Sequence, residues 1–69
     1  MLGVLEKRSF SLSGHRTSVA LEPAFWTALE AIAAGEGIAL SALITRLDAG
    51  RGENQPLASA LRVFALHAK

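Results

Sequence analysis

The alternation of apolar and polar residues changes phase once in the first third of the chain. From Arg16 to Leu21 (RTSVAL) the odd-numbered positions are β-branched or apolar, which is typical of a strand with one buried face. Upstream, Phe10 and Leu12 also alternate, but on even-numbered positions. One continuous strand cannot bury both sets, so a turn or a bulge at Gly14 would have to reset the register.

Two arrangements accommodate this change of phase, and the sequence leaves both open. In the first, a two-residue type II′ turn at Gly14-His15 makes a hairpin that places Phe10 opposite Val19 on a common face. In the second, residues 1–13 form an arm, and residues 15–21 pair with the same strand of a second chain across a two-fold axis.

Three helices are predicted after the strand, because apolar residues recur at spacings of three and four. Pro23 suits a first helical turn, and a Gly-Glu-Gly segment ends that helix. The second helix runs from about Leu40 to Asp48, and the third occupies residues 57–69 beyond a polar loop broken by glycine. Val63 and Leu66 fall nearly opposite the main apolar stripe of the third helix. Because this helix is apolar on two sides, we expect it to pack against more than one neighbour.

The small size of the chain predicts self-association. A core built from 69 residues barely offsets chain entropy. The chain has no cysteine, and its two histidines are far apart, so we expect neither disulfides nor a metal or cofactor. An obligate dimer, or a higher oligomer, is the remaining source of stability.

Hydropathy and charge narrow the class of protein further. No apolar run approaches the roughly 18 residues of a membrane span, and the first residues lack the pattern of a signal peptide, which predicts a cytoplasmic protein with no membrane partner. The net charge is only +1, but basic residues lie on both sides of an acidic first helix, which suggests a nucleic-acid contact near the N-terminus. The serines have no base and carboxylate at a recognisable spacing, so we expect no enzyme and no catalytic residues.

The order of strand, helix, glycine turn and helix resembles the ribbon-helix-helix family, the group of the Arc and Met repressors. The resemblance extends through RTSVALEP, FWTALEAIAAGEG and IALSALITRL, and SALRVF farther on is similar to small bacterial members with an extra C-terminal segment. It implies a mainly α fold, an intertwined homodimer with a short antiparallel β-ribbon and an additional C-terminal helix. The implied divisions are an N-terminal arm or extra strand (1–14), the ribbon-helix-helix core (15–48), a loop (49–56) and the C-terminal helix (57–69). The implied dimer core comprises Val19, Leu21, Trp26, Leu29, Leu43, Ile44 and Leu47.

The resemblance also implies binding of duplex DNA. In the family, outward ribbon residues enter the major groove, and backbone amides at the start of the second helix hold a phosphate. The corresponding readers of base edges here are Arg16, Ser18 and Ala20. The corresponding phosphate contacts are Lys7 and Arg8 in the arm and the amides of Leu40 and Ser41. Ala39 departs from the pattern, because a serine or threonine cap is common at that position in the family.

Two functions are consistent with this sequence. The first is a DNA-binding transcriptional regulator, or an antitoxin-type regulator whose C-terminal helix engages a protein partner. The alternative is a structural or protein-interaction module that does not bind DNA and oligomerises through the dimer and the C-terminal helix. Ala39 and the methyl group of Ala20 favour the alternative, and so do Val63 and Leu66, the predicted higher-order interface.

Overall fold

A two-stranded antiparallel sheet followed by three helices makes up the fold. In a computed structural model that describes residues 4–68, the elements are β1 (Glu6–Leu12), β2 (His15–Leu21), α1 (Pro23–Glu36), α2 (Leu40–Gly50) and α3 (Leu57–His67). No single helix in that part of the chain is long and apolar enough to cross a membrane, and α1 and α2 reach such a length only as a pair bent by 101°.

β1 and β2 pair with each other within one chain, so the hairpin is the arrangement present. The turn between the strands is centred on Ser13 (φ 52°) and Gly14 (φ 81°). Two successive positive φ values define a type I′ turn, whose twist matches that of the flanking strands. The predicted type II′ turn at Gly14-His15 is therefore wrong by one residue.

The shifted turn changes the partners across the ladder but not the buried face. Phe10 lies opposite Thr17 instead of Val19, and Leu12 lies opposite His15. Both turns pair even-numbered with odd-numbered positions, and side chains alternate between faces with a period of two. The apolar residues of both strands therefore share one buried face, as the hairpin arrangement predicts.

A local signal in the sequence defines the end of α1, whereas α2 has no side-chain cap at its start. At the end of α1, Gly37 adopts φ 72°, its N–H donates to the Ala34 carbonyl (3.1 Å), and the Ile38 N–H donates to the Ala33 carbonyl (3.0 Å). These two bonds form a Schellman motif, which requires a residue in the left-handed region. α2 begins after Ala39 without a side-chain cap and ends at Gly50, two residues beyond the predicted end.

The core closes within a single chain. Each of the five elements contributes to it, and Leu61 from α3 is fully buried. Six of the seven residues predicted for a dimer core are buried here among residues of their own chain, whereas Leu47 is half-buried against the same cluster. Burial of these residues therefore needs no second chain, and the dimer stays a prediction. The buried residues are Phe10, Leu12, Val19, Leu21, Trp26, Leu29, Ala33, Leu43, Ile44 and Leu61.

Candidate nucleic-acid interface

The side of the hairpin that faces away from the helices is polar and open. It consists of three cross-strand pairs, and we call it the outer hairpin face. All of its residues are exposed except Ala20, which is half-buried. The pairs are Lys7 with Ala20, Ser9 with Ser18, and Ser11 with Arg16.

Hydrogen bonds across the strands organise this face and leave most of the Arg16 donors free. The hydroxyls of Ser9 and Ser18 lie 3.0 Å apart, at the central pair. Arg16 Nη1 donates to the Ser11 hydroxyl at 3.5 Å. A guanidinium carries five N–H donors, so this one long bond leaves the Arg16 fork available to an acceptor outside the protein.

Unpaired positive charge is concentrated on the outer hairpin face. Within residues 4–68, four arginines form ion pairs with carboxylates, and Lys7 and Arg16 are the two cations that do not. Both lie on the outer hairpin face, which carries no carboxylate. The ion pairs elsewhere are Arg8 with Glu6 and Glu30, Arg46 with Glu36, Arg51 with Asp48, and Arg62 with Glu22.

Arg8, predicted as a phosphate contact, occupies a different environment. Its Nε and Nη1 atoms each lie 2.6 Å from a carboxylate oxygen, of Glu6 and Glu30 respectively. Its guanidinium also lies 5.0 Å from the centre of a Trp26 ring. Hydrogen bonds to Glu30 and then Glu6 raise the pKa of Arg8 above its ordinary value. Arg8 thus fastens β1 to α1, and it is not part of the outer hairpin face.

The first turn of α2 offers backbone donors. Ala42 and Leu43 make the first intrahelical bonds, both to the Ala39 carbonyl. The amides of Leu40 and Ser41 precede these bonds, and amides at that place have no acceptor within a helix. Ser41 is exposed, so its amide and hydroxyl can meet solvent or an anion.

The predicted higher-order interface consists of two exposed apolar residues on α3. Val63 is 46% exposed and Leu66 is 68% exposed. Next to Val63 in the chain, Arg62 Nε donates to Glu22 Oε1 at 2.9 Å. The backbone amide of Glu22, and after it Arg62, lower the pKa of the Glu22 carboxyl.

Ser9 and Ser11 are the residues of the outer hairpin face that the sequence prediction missed. They belong to β1, which the sequence left open as an arm or a strand. The available signal was the polar set at positions 7, 9 and 11, which alternates with the apolar residues of the same segment. Only pairing with β2 brings these positions beside the predicted readers.

Comparisons with known proteins agree with this architecture. A family model described as ribbon-helix-helix domain matches residues 5–68. The solved structure of an uncharacterized protein from Bordetella pertussis Tohama I is similar, with a TM-score of 0.76 and 39% sequence identity. The similarity covers 91% of this chain and 54% of that one, so the chain spans about half the length of the Bordetella protein. A comparison with curated proteins finds no match. Because the family model covers the whole sheet and all three helices, the chain belongs to the ribbon-helix-helix domain family.

Proposed function

We propose that this protein is a cytoplasmic DNA-binding regulator that contacts duplex DNA through the outer hairpin face. Proteins of the ribbon-helix-helix family are usually DNA-binding regulators or antitoxins. The observation that carries the proposal is the placement of Lys7 and Arg16, the two cations without a carboxylate partner in residues 4–68, together on one exposed face. Phosphate neutralisation by such cations supplies essentially all of the non-specific affinity of a protein for DNA and a large share of its specific affinity.

The chemistry of the face assigns a role to each side chain. Arg16 can donate two parallel bonds to O6 and N7 of guanine, the commonest specific contact in the major groove. The Ser9 and Ser18 hydroxyls can donate or accept, so they tolerate more than one base. Lys7 is a compact charge on a flexible stem, which suits a phosphate.

The first turn of α2 supports the same proposal through the backbone. The amides of Leu40 and Ser41 have no helical acceptor, and the helix dipole adds partial positive charge there. Ala39 departs from the family's pattern, and in the sequence this favours the alternative function, but α2 has no side-chain cap, so no side-chain oxygen occupies these donors. A phosphate oxygen would take the place that a cap residue takes in other helices.

The test is the salt dependence of binding to duplex DNA. We expect the wild-type chain to retain genomic fragments at low salt, with an affinity that falls linearly on a plot of log K against log salt concentration. The variant Lys7→Gln should lower the magnitude of the slope by about one, because it removes one phosphate contact, whereas Arg16→Gln should weaken binding and relax the sequence preference, because it removes a base contact. Arg46→Gln serves as the matched control, since it removes a cation that is paired with Glu36 on the surface.

Two results would contradict the proposal. One is a wild-type chain that retains no DNA at low salt. The other is an equal loss of affinity in Arg46→Gln and Arg16→Gln, which would indicate that net charge alone controls binding. Circular dichroism of each variant confirms that the fold is intact, and this is expected because all three side chains are exposed.

A second candidate function uses α3 instead of the hairpin. Val63 and Leu66 are large apolar side chains that remain exposed in the single chain. In this alternative, α3 contacts another protein or a further copy of this chain, as the antitoxin type of regulator does with its partner. The two functions are compatible, because they use separate surfaces.

A further inference from the structure

A surface cavity of about 300 Å³ lies between α2 and α3, and we call it the α2–α3 cavity. Leu47, Val63 and Phe64 form its apolar wall. Gly50 also lines it, and a Cβ added there would meet no atom within 4 Å, so this part of the cavity is open. Val63 is 46% exposed although it belongs to the wall. Apolar surface that faces water favours an apolar occupant.

The charged residues that line the α2–α3 cavity are already neutralised. They are Arg46, whose Nη1 lies 2.9 Å from Glu36 Oε1, and Arg51, whose Nε lies 2.8 Å from Asp48 Oδ1. An anion or an acidic peptide would have to displace one of these carboxylates. A neutral apolar side chain meets no unpaired charge there, so it is the occupant that fits the cavity.

The side chain that fits is present beside the cavity itself. Leu66 is 68% exposed, more than any other large apolar residue on the three helices. It follows Val63 by three residues, and side chains at that spacing are neighbours on the surface of a helix. Leu66 therefore protrudes next to the α2–α3 cavity, about 5 Å along the helix from its wall.

We propose that α3 joins two copies of this chain across a two-fold axis, with Leu66 of each copy inserted into the α2–α3 cavity of the other. In a two-fold contact the same patch serves both copies, so the patch must carry a protrusion and a cavity that match. This surface carries both within one helical turn. The inference deepens the second candidate function, because it commits α3 to a further copy, and it does not depend on DNA binding.

The length of α3 sets the strength of the contact. A helix of 11 residues is about 16 Å long, so two such helices bury less than the roughly 1,200 Å² of a stable interface. The contact is therefore weak and forms at high local concentration. Proteins of the family typically dimerise. Because α3 is separate from the hairpin, its contact doubles the mass of whichever unit the rest of the chain forms.

Sedimentation equilibrium of the full chain tests the proposal. Leu66→Ala removes the protruding side chain, and Gly50→Leu fills the cavity, so each variant should lose both symmetric insertions. We expect the association constant to fall about tenfold for each insertion, hence about a hundredfold for the pair. Circular dichroism confirms the fold of each variant.

Gly35→Leu is the matched control. Gly35 is also a helical glycine whose added Cβ would meet no atom within 4 Å, but it lines a different cavity, between α1 and α3. The substitution adds the same side chain to the surface. It should leave the association constant unchanged.

A mixture of Leu66→Ala and Gly50→Leu tests the reciprocal insertion directly. In a mixed pair, the intact Leu66 of one copy enters the open cavity of the other, and the alanine of the second copy faces the filled cavity. One of the two insertions is thereby recovered. We expect the mixture to associate about tenfold more tightly than either variant alone.

Three outcomes would overturn the proposal. One is a wild-type chain that has the same mass as Leu66→Ala up to its highest soluble concentration. Another is a loss in Gly35→Leu equal to that in Gly50→Leu, and the third is a mixture that associates no better than its components. The proposed function is tested separately by retention of genomic DNA on Leu66→Ala, because position 66 lies outside the outer hairpin face.

Discussion

Trp26 joins the hairpin to α1 through a single side chain. Its indole Nε1–H donates to the Glu6 carbonyl at 2.7 Å, and its ring centroid lies 5.8 Å from that of Phe10. The residue is fully buried, as its helical spacing predicts. The hydrogen bond was beyond prediction, because periodicity along α1 identifies a buried face but not the distant carbonyl that this face will meet.

Replacing Trp26 by Phe should destabilise the fold by about 1–3 kcal/mol, because the Glu6 carbonyl loses its donor and the core loses volume. For a domain of this size, the expected fall in Tm is about 4–8 °C per kcal/mol. Thermal melts followed by circular dichroism measure this change in Tm. Tryptophan fluorescence is unsuitable, because Trp26 is the only tryptophan and the variant removes it. Phe10→Leu is the control, because it removes the aromatic neighbour and keeps the hydrogen bond. A Trp26→Phe melt that coincides with that of the wild type would show that the bond contributes nothing.

Two glycines at the end of α1 should respond oppositely to alanine. Gly37 has φ 72°, where a side chain is strained, whereas Gly35 has ordinary helical backbone, and neither meets an atom within 4 Å of an added Cβ. Gly37→Ala should therefore cost about 1–2 kcal/mol. Gly35→Ala should stabilise by about 0.4–1 kcal/mol, since alanine restricts the unfolded chain and favours the helix. Urea denaturation of both variants tests this, and a change of the same sign in both would contradict it.

At the scale of elements, the sequence predicts the buried face of the hairpin but not its register. The turns Ser13-Gly14 and Gly14-His15 bury the same side chains, so the hydrophobic pattern does not distinguish them. The deciding quantity is the backbone twist of a two-residue loop, which favours positive φ at both central positions. Ser is an uncommon residue at the first of these positions, and for this reason the sequence signal for a type I′ turn was weak.

Asparagine at position 13 should therefore stabilise the hairpin. Ser13 adopts φ 52°, and Asn tolerates this region better than serine and forms the favoured Asn-Gly turn. We expect Ser13→Asn to add about 0.5 kcal/mol, at the lower end of turn and cap improvements. His15→Asn is the matched control, because position 15 belongs to β2 and gains nothing there. A larger gain in His15→Asn would instead support the turn at Gly14-His15.

At the scale of the whole molecule, ion pairs connect α1 with elements around it, and they make stability depend on pH. Arg46 donates two bonds to the Glu36 carboxylate, at 2.9 and 3.0 Å, and lowers its pKa. The Glu22 carboxyl also has a lowered pKa. A carboxyl whose folded pKa lies below its unfolded value stabilises the fold above the unfolded pKa, and this contribution is lost as the pH falls.

We expect the urea midpoint of the wild type to fall as the pH drops from about 5 to 3, across the ordinary carboxyl range. Glu36→Gln should be less stable than the wild type at neutral pH, and the difference should vanish at the acid end, where Glu36 of the wild type is protonated. Glu53→Gln is the control, because Glu53 lies in the loop after α2 and has no ion pair within residues 4–68. A pH profile of Glu36→Gln parallel to that of the wild type would contradict this account.

The small size of the chain predicts self-association, but it does not show whether α3 packs on its own chain or on a second one. The resemblance sets this helix apart from the ribbon-helix-helix core (15–48) as an additional C-terminal helix, and in the structure Leu61 is fully buried and α3 contacts α1, α2 and β2. An amphipathic helix can cover its own chain or a second one, and periodicity is the same in both cases. The exposed residues of α3 are therefore the ones that bear on association.

Self-association through α3 predicts that the wild-type chain forms concentration-dependent species larger than one chain, and that Val63→Glu/Leu66→Glu abolishes them. Both side chains are exposed, so the carboxylates should disrupt an apolar contact between copies without disturbing the core. Multi-angle light scattering measures the mass, and circular dichroism confirms the fold. Thr27→Glu/Ala34→Glu adds the same charge to the exposed side of α1 and should leave the mass unchanged. A wild-type protein that stays a single chain at its highest soluble concentration would exclude α3 as a contact between copies, while the hairpin, complete in one chain, would still be available to DNA.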